Sequence, residues 1–295
     1  MIKEFVRVDP VSLEVGIFKS LPRNQQAFKF QGEKQHGQKR FIYQSPRVLD
    51  HVALKVFLAV CSLAQGSNMF TTAAATSPMG AALWKSLKVH GEAGMSKSLV
   101  ATADICNFLR AAGMKSSGGE RKRFIDRLEQ LSNVRIHVLA AKTNRGESQM
   151  QLLSFKISQD NRRLVVALAP DISHSIGGTL KTQFSQVCMT TLRTLSEPSA
   201  IILHAVLSNR IRRSQSKPAR YSLGKLVQIA FAEEVLSKVA KHKRHEIVVA
   251  ALKALDRAGW AVMAPYHRAD PIYGIIREER FSIGLWKKYY FGPAC

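Results

Sequence analysis

The chain has 295 residues, room for two domains of about 100–200 residues each. Its 44 Lys and Arg against 21 Asp and Glu give a formal net charge of +23, while 46% of its residues are hydrophobic. That hydrophobic share excludes a purely disordered basic tail, and the cationic excess points to a polyanionic partner, most often nucleic acid.

The charge is not confined to one end. Residues 1–182 hold 26 basic and 13 acidic residues, net +13; the remainder holds 18 and 8, net +10. Three clusters stand out: Lys115, Arg121, Lys122 and Arg123; then Arg210, Arg212, Arg213, Lys217, Arg220 and Lys225, with no acid between; then Lys238, Lys241, Lys243 and Arg244. A solvated surface accounts for any one of them, whereas three at helix starts and turns point to binding. No apolar run approaches the roughly 18–20 residues of a membrane helix. The start, Met1-Ile2-Lys3-Glu4-Phe5, lacks the apolar centre and cleavage site of a signal peptide. Cys61, Cys106, Cys188 and Cys295 stand singly, so neither a zinc ribbon nor a disulfide framework is expected. The expectation is a soluble, intracellular and strongly cationic protein.

In chain order, residues 1 to about 45 are polar and Gln-rich and predict an extended arm, with short strands at Phe28–Phe30 and Phe41–Tyr43. Ser45-Pro46 reads as a helix start. Leu49, Val52, Ala53, Val56, Phe57, Val60, Leu63 and Ala64 follow at helical spacing and predict an amphipathic helix to Gly66. Residues 67–95 show no clean period. Thr102 is placed as the cap of a short helix through Ala111, and a turn over Lys115–Gly118 leads to a helix from about Gly119 to Asn133. Val134–Ala141, Met150–Ile157 and Arg163–Ala169 read as strands, the first two joined by the turn Thr143-Asn144-Arg145-Gly146.

The second half repeats the order. Ser196 is placed as the cap of a helix through Arg212, and Ser222 as the cap of a short helix to about Ala230. A long basic helix runs from about Ser237 to Ala258 with Gly259 as its stop. Trp260–Ala264 and Pro271–Ile276 read as a hairpin with its tip at Tyr266–Asp270. Helix, short helix, basic helix and hairpin therefore occur twice. The expected class is α+β, a tandem winged helix: an arm over 1–45, a first unit over 46–182 and a second over 183–295. In such a unit the second helix of the turn enters the major groove.

Groove-reading helices use side chains near their N-termini, and phosphates are held by cations, hydroxyls and helix N-termini. The candidates for binding double-stranded DNA are therefore Ser116, Ser117, Lys122 and Arg123 in the first unit, with Arg145 at the wing tip. In the second they are Lys238, Lys241, Lys243 and Arg244, with Arg268 at the wing tip; Arg210, Arg212, Arg213 and Arg220 are expected on phosphates. Lys241 and Arg244 share the azimuth of the core stripe, so they reach DNA if the helix projects beyond the core.

No catalytic constellation emerges, and no cofactor or metal is expected. A nicking initiator needs a His-hydrophobe-His triplet and a nucleophilic Tyr; the triplet is missing, which leaves Tyr289-Tyr290 as packing or as an aromatic patch with Trp286 and Phe291. His242 and His245 stand three apart, but among Lys241, Lys243 and Arg244, whose charge opposes a divalent cation. Gly118-Gly119 before a helix suits a phosphate, yet no GxxxxGK[ST] motif is present.

Particular residues carry a resemblance. Val6-Arg7-Val8-Asp9-Pro10 with Gly16-Ile17-Phe18-Lys19-Ser20-Leu21, Arg163–Pro170 with Ile176-Gly177-Gly178, and Leu195-Ser196-Glu197 followed by Ala258-Gly259-Trp260-Ala261-Val262 resemble plasmid replication initiators of the IncQ-type RepC family. The similarity spans about residues 5–265; residues 67–95 and those after about 277 depart from it. The resemblance implies a non-enzymatic, sequence-specific initiator. Such a protein binds direct repeats (iterons), opens adjacent AT-rich DNA and admits the plasmid's helicase and primase. A winged-helix transcriptional regulator is the alternative, and the oligomeric state is left open, self-association included.

Overall fold

The computed structural model describes residues 4–21, 28–66, 70–71, 78–91, 98–140, 146–177, 183–213, 215, 217–232, 237–263 and 271–277. The first elements are β1 (Phe5–Val8), α1 (Pro10–Glu14), β2 (Phe30–His36), β3 (Lys39–Ser45), α2 (His51–Gly66), β4 (Phe70–Thr71), α3 (Pro78–Leu87) and β5 (His90–Gly91). Then come β6 (Ser98–Asp104), α4 (Ile105–Ala112), α5 (Gly118–Ser132), β7 (Arg135–Ala140), β8 (Gly146–Gln151), β9 (Leu153–Ile157), β10 (Arg163–Leu168) and α6 (Pro170–Gly177). The last are β11 (Ser185–Cys188), α7 (Met189–Thr194), α8 (Pro198–Arg210), β12 (Ala219–Ser222), α9 (Leu223–Ala230), α10 (Lys238–Arg257), β13 (Ala261–Met263) and β14 (Ile272–Ile276).

Two helices form the centre. In α2, the residues Val52, Ala53, Leu54, Val56, Phe57, Leu58, Ala59, Val60, Cys61 and Ala64 are all buried. The buried face is wider than the expected stripe, because Leu54, Leu58, Ala59 and Cys61 are buried as well, while His51, Lys55 and Gln65 keep to one half-buried side of the helix. In α8, every residue from Ser199 to Ser208 is buried. The two helices pack on each other, and one continuous apolar cluster runs through both halves of the chain.

The helix starts depend on tertiary partners. Ser45 ends β3, and α2 begins instead at His51, where Asp50 Oδ1 accepts from the Ala53 amide at 2.9 Å. Arg127 of α5 donates to both oxygens of the same carboxylate, at 3.0 and 2.7 Å. Thr102 lies within β6, not at a helix cap; α4 starts after Asp104, and the Ile105 amide donates to the Arg162 carbonyl at 2.9 Å. The cap of α8 is Glu197 rather than Ser196. Ser222 caps α9 as expected, and Ser117 and Ser237 cap α5 and α10, each side chain accepting from an amide three residues on.

The described residues among the first 45 are built into the fold rather than extended from it. β1 pairs antiparallel with β11, Phe5 opposite Cys188. β2 and β3 pair, and β3 pairs with β7, giving a five-stranded sheet in the order β2-β3-β7-β8-β5. The polar residues of this stretch follow from β2 being an edge strand: Gln31, Glu33 and Gln35 face solvent on alternate positions. Residues 17–20 tie the two halves together. The Lys19 amide donates to the Leu49 carbonyl at 2.8 Å, and its Nζ donates to the Gln228 and Ile229 carbonyls at 2.7 and 3.2 Å, at the end of α9.

The strand read over Met150–Ile157 is two strands in two sheets. β8 belongs to the five-stranded sheet and β9 to a four-stranded one in the order β4-β6-β10-β9. Leu152 between them donates to the Val134 carbonyl and accepts from the Ala169 amide, which stitches the sheets together. Within 67–95, α3 lays Leu83 and Leu87 against Val100 and Ala167 as a small separate cluster.

Each half thus sets a buried helix (α2, α8) before a pair of consecutive helices (α4–α5, α9–α10), followed by two antiparallel strands (β7–β8, β13–β14). In the second half β12 completes a three-stranded sheet, β12-β14-β13. Its anchor is His204, buried in α8. The ring Nδ1 accepts from the Trp260 indole N–H at 3.1 Å, and Nε2 donates to the Cys188 carbonyl at 3.0 Å.

Candidate nucleic-acid interface

In the first half, Gly113 closes α4 in the left-handed region at φ 68°, and an added Cβ there would stand 2.9 Å from Arg193 Cγ. The turn then runs to Ser117, whose Oγ accepts from the Glu120 amide at 3.4 Å. Ser116, Ser117 and Lys122 are exposed, and nothing lies within 4 Å of a Cβ built on Gly118 or Gly119. The N-terminus of α5 is therefore open to a ligand. Arg123 is exposed but pairs with Glu120 at 3.5 Å, a contact that is weak in water.

Two cations join this face that sequence reasoning missed. The Arg121 guanidinium donates to the Asn161 carbonyl, which draws the β9–β10 turn against α5 and brings in exposed Arg162 and Arg163. They lie about forty positions away along the chain, and no local pattern announces the pairing.

In the second half, α10 projects. Lys238, Val239, Lys241, His242 and Lys243 are all exposed, and burial begins in earnest at Val248. Lys241 shares the core azimuth, seven residues before Val248, and is exposed nonetheless, so the apolar core does not reach the start of the helix. The first turn of α10 contains no acid. Helix N-termini carry partial positive charge, so lysines there are unfavourable until an anion arrives. His242 Nε2 lies 3.5 Å from Glu246 Oε1 on the exposed face.

Arg244 differs from its neighbours. Its Nη1 donates to the Ala232 carbonyl at 2.9 Å and its guanidinium lies 4.9 Å over the Phe231 ring. It holds the end of the α9–α10 connection in place. Arg210 hydrogen-bonds the Tyr221 hydroxyl, and Arg220 is exposed on β12.

Arg212 and Arg213 are not brought to the start of α10. Arg213 lies 4.2 Å over the Phe5 ring and lines a cleft of about 930 Å³ with Arg257 and Gly259, at the other end of that helix. The two ends are about 28 Å apart at 1.5 Å per residue. Both arginines also line a cleft of about 660 Å³ with Lys34, His36 and Arg277. Arg145 and Arg268, the wing-tip candidates, lie outside the described residues, as do Trp286, Tyr289, Tyr290 and Phe291. Among the described residues no cluster of three or more His, Cys, Asp or Glu could hold a metal ion, and no helix is long and apolar enough to cross a membrane.

The profile of the replication protein C (RepC) family matches residues 3–277. The chain belongs to the RepC family. No curated protein matches it by sequence. Two solved structures place this RepC-family fold. Domains 2–3 of RctB are 11% identical and superpose with a TM-score of 0.53 over 88% of this chain and 94% of that one. The Pi initiator protein in complex with iteron DNA is 13% identical, with a TM-score of 0.52 over 95% and 100%. At such identities the likeness is one of fold: a mixed α/β architecture shared with replication initiators.

Proposed function

We propose that this chain is a tandem winged-helix initiator of plasmid replication. It binds directly repeated duplex DNA through α5 in a first unit within residues 46–182 and α10 in a second within 183–295. It acts without catalysis, promoting opening of adjacent AT-rich DNA and admitting helicase and primase in the cytoplasm. The supporting observation is that the start of α10 presents Lys238, Lys241 and Lys243 exposed, ahead of the buried stretch that begins at Val248. A major groove about 12 Å wide admits such a helix. Family membership and the likeness to Pi, solved with iteron DNA, support the choice of partner. Ser116, Ser117, Lys122 and Arg123 play the equivalent part in the first unit, and Arg162 and Arg163 add phosphate contacts beside them. Arg220 is assigned to phosphate. Arg212 and Arg213 are assigned to a flanking stretch of backbone, because they sit at the far end of α10.

Footprinting on origin DNA at two salt concentrations tests the reading. Protection confined to the repeats, weakening steeply with salt, is the expected result. Equal protection of scrambled repeats would refute it.

A further inference from the structure

The outward face of α10 carries a side chain that phosphate binding does not use. Val239 is 79% exposed, the most open of the large apolar side chains among the described residues. It lies nine residues before Val248, about two and a half turns, and so on the azimuth opposite the core. His242, Lys243 and Glu246 share its face and are exposed too. Neither packing nor helix formation accounts for Val239. Among the described residues nothing in the core touches this face, and a β-branched residue in the first turn is a poorer helix former than the acids favoured there. Lone exposed apolar residues are ordinary on a protein surface. This one stands at the tip of a projecting helix, between Lys238 and Lys241, where a polyanion would seat it.

We propose that Val239 packs against the 5-methyl group of a thymine in the major groove and so selects thymine at one position of the repeat. The inference rests on α10 being the groove-reading helix. Thymine is the base that presents a methyl group in that groove, and apolar side chains are the groups that recognise it. Lysines around Val239 hold the backbone on either side, which positions the helix but reads no sequence. The valine contributes no charge, so its effect is independent of salt, unlike that of its neighbours.

The test replaces each thymine of the repeat in turn by uracil, which removes the methyl group and leaves base pairing intact. Wild type and Val239→Ala are then titrated against each duplex. Wild type is expected to lose about fourfold in affinity at one thymine, the worth of one buried methyl group. Val239→Ala should bind the natural repeat about that much more weakly, be indifferent to uracil at the same position, and keep the wild-type salt slope. If wild type prefers repeats to scrambled DNA yet tolerates uracil everywhere, the Val239 contact is overturned and the groove-reading role of α10 survives. The same holds if Val239→Ala remains as sensitive to uracil as wild type. No preference for repeats over scrambled DNA overturns both.

Discussion

His204 makes the stability of the second half depend on pH in a direction that can be worked out. Burial, assisted by the charge of Arg277, pushes its pKa from 6.5 down to about 4, against the pull of the Cys188 carbonyl. The neutral ring is required because Nδ1 accepts from Trp260 while Nε2 donates to Cys188. Below pH 6.5 the unfolded chain binds a proton that the native ring refuses, so stability falls as pH drops from 6.5 towards 4. From the ratio of proton-binding terms, the loss relative to pH 7 is about 2 kcal/mol at pH 5 and about 3 kcal/mol at pH 4. Urea unfolding followed by far-UV circular dichroism at pH 7, 6 and 5 measures it. His204→Gln keeps one acceptor and one donor but does not titrate, so its stability should fall by about 2 kcal/mol less over that interval. Groups common to both proteins, Asp9 and Asp50 among them, cancel in the difference. Parallel pH curves for the two proteins would show that the buried imidazole is not the cause.

Gly113→Ala should cost at least about 1 kcal/mol for the left-handed backbone, and more for the clash with Arg193, read as a lower urea midpoint; an unchanged midpoint contradicts that account of the turn. Asp50 is half-buried, and desolvation raises a carboxylate, yet the hydrogen bonds from Arg127 and the Ala53 amide hold it below the usual range. Its stabilisation is thus present above about pH 4 and lost as pH falls through its lowered pKa. Asp50→Asn should therefore destabilise the protein by about 2 kcal/mol at pH 7 and by less in acid, as calorimetry over pH 3–7 would show. Lys238→Ala should reduce the slope of log affinity against log salt by about 1. Arg244→Gln should leave that slope unchanged and lower stability by about 1 kcal/mol; the reverse pattern would move Arg244 into the interface.

Ser222 is the cap that sequence reasoning placed correctly, and its partner is local: it bonds an amide three residues on, a distance that a sequence window sees. Ser117 and Ser237 bond in the same way, at helix starts that sequence reasoning set only as a turn and an approximate boundary. Ser45-Pro46 and Thr102 misled because both Ser45 and Thr102 are taken up by strands whose partners are remote in sequence, β3 on β7 and β6 on β10. α3 was illegible because two leucines, Leu83 and Leu87, are its buried anchors, too few to set a period. A lone valine such as Val239 carries no signal in the sequence, because only the burial of its neighbours shows that it faces away from the core.

By itself the sequence determined the cationic character, its even division, the twofold order of helices and hairpins, and the residues that could face DNA. These rest on composition and on spacings within single elements. Only the tertiary structure decided which cations share a face. It brought Arg162 and Arg163 to α5, committed Arg244 to Phe231 and Ala232, and separated Arg213 from Lys238 by the length of α10. It also turned the expected arm into the strap between the halves, through pairings such as β1 with β11 and Lys19 with the end of α9. Such contacts join residues far apart in the chain, and their free energy depends on desolvation and geometry that no local pattern encodes.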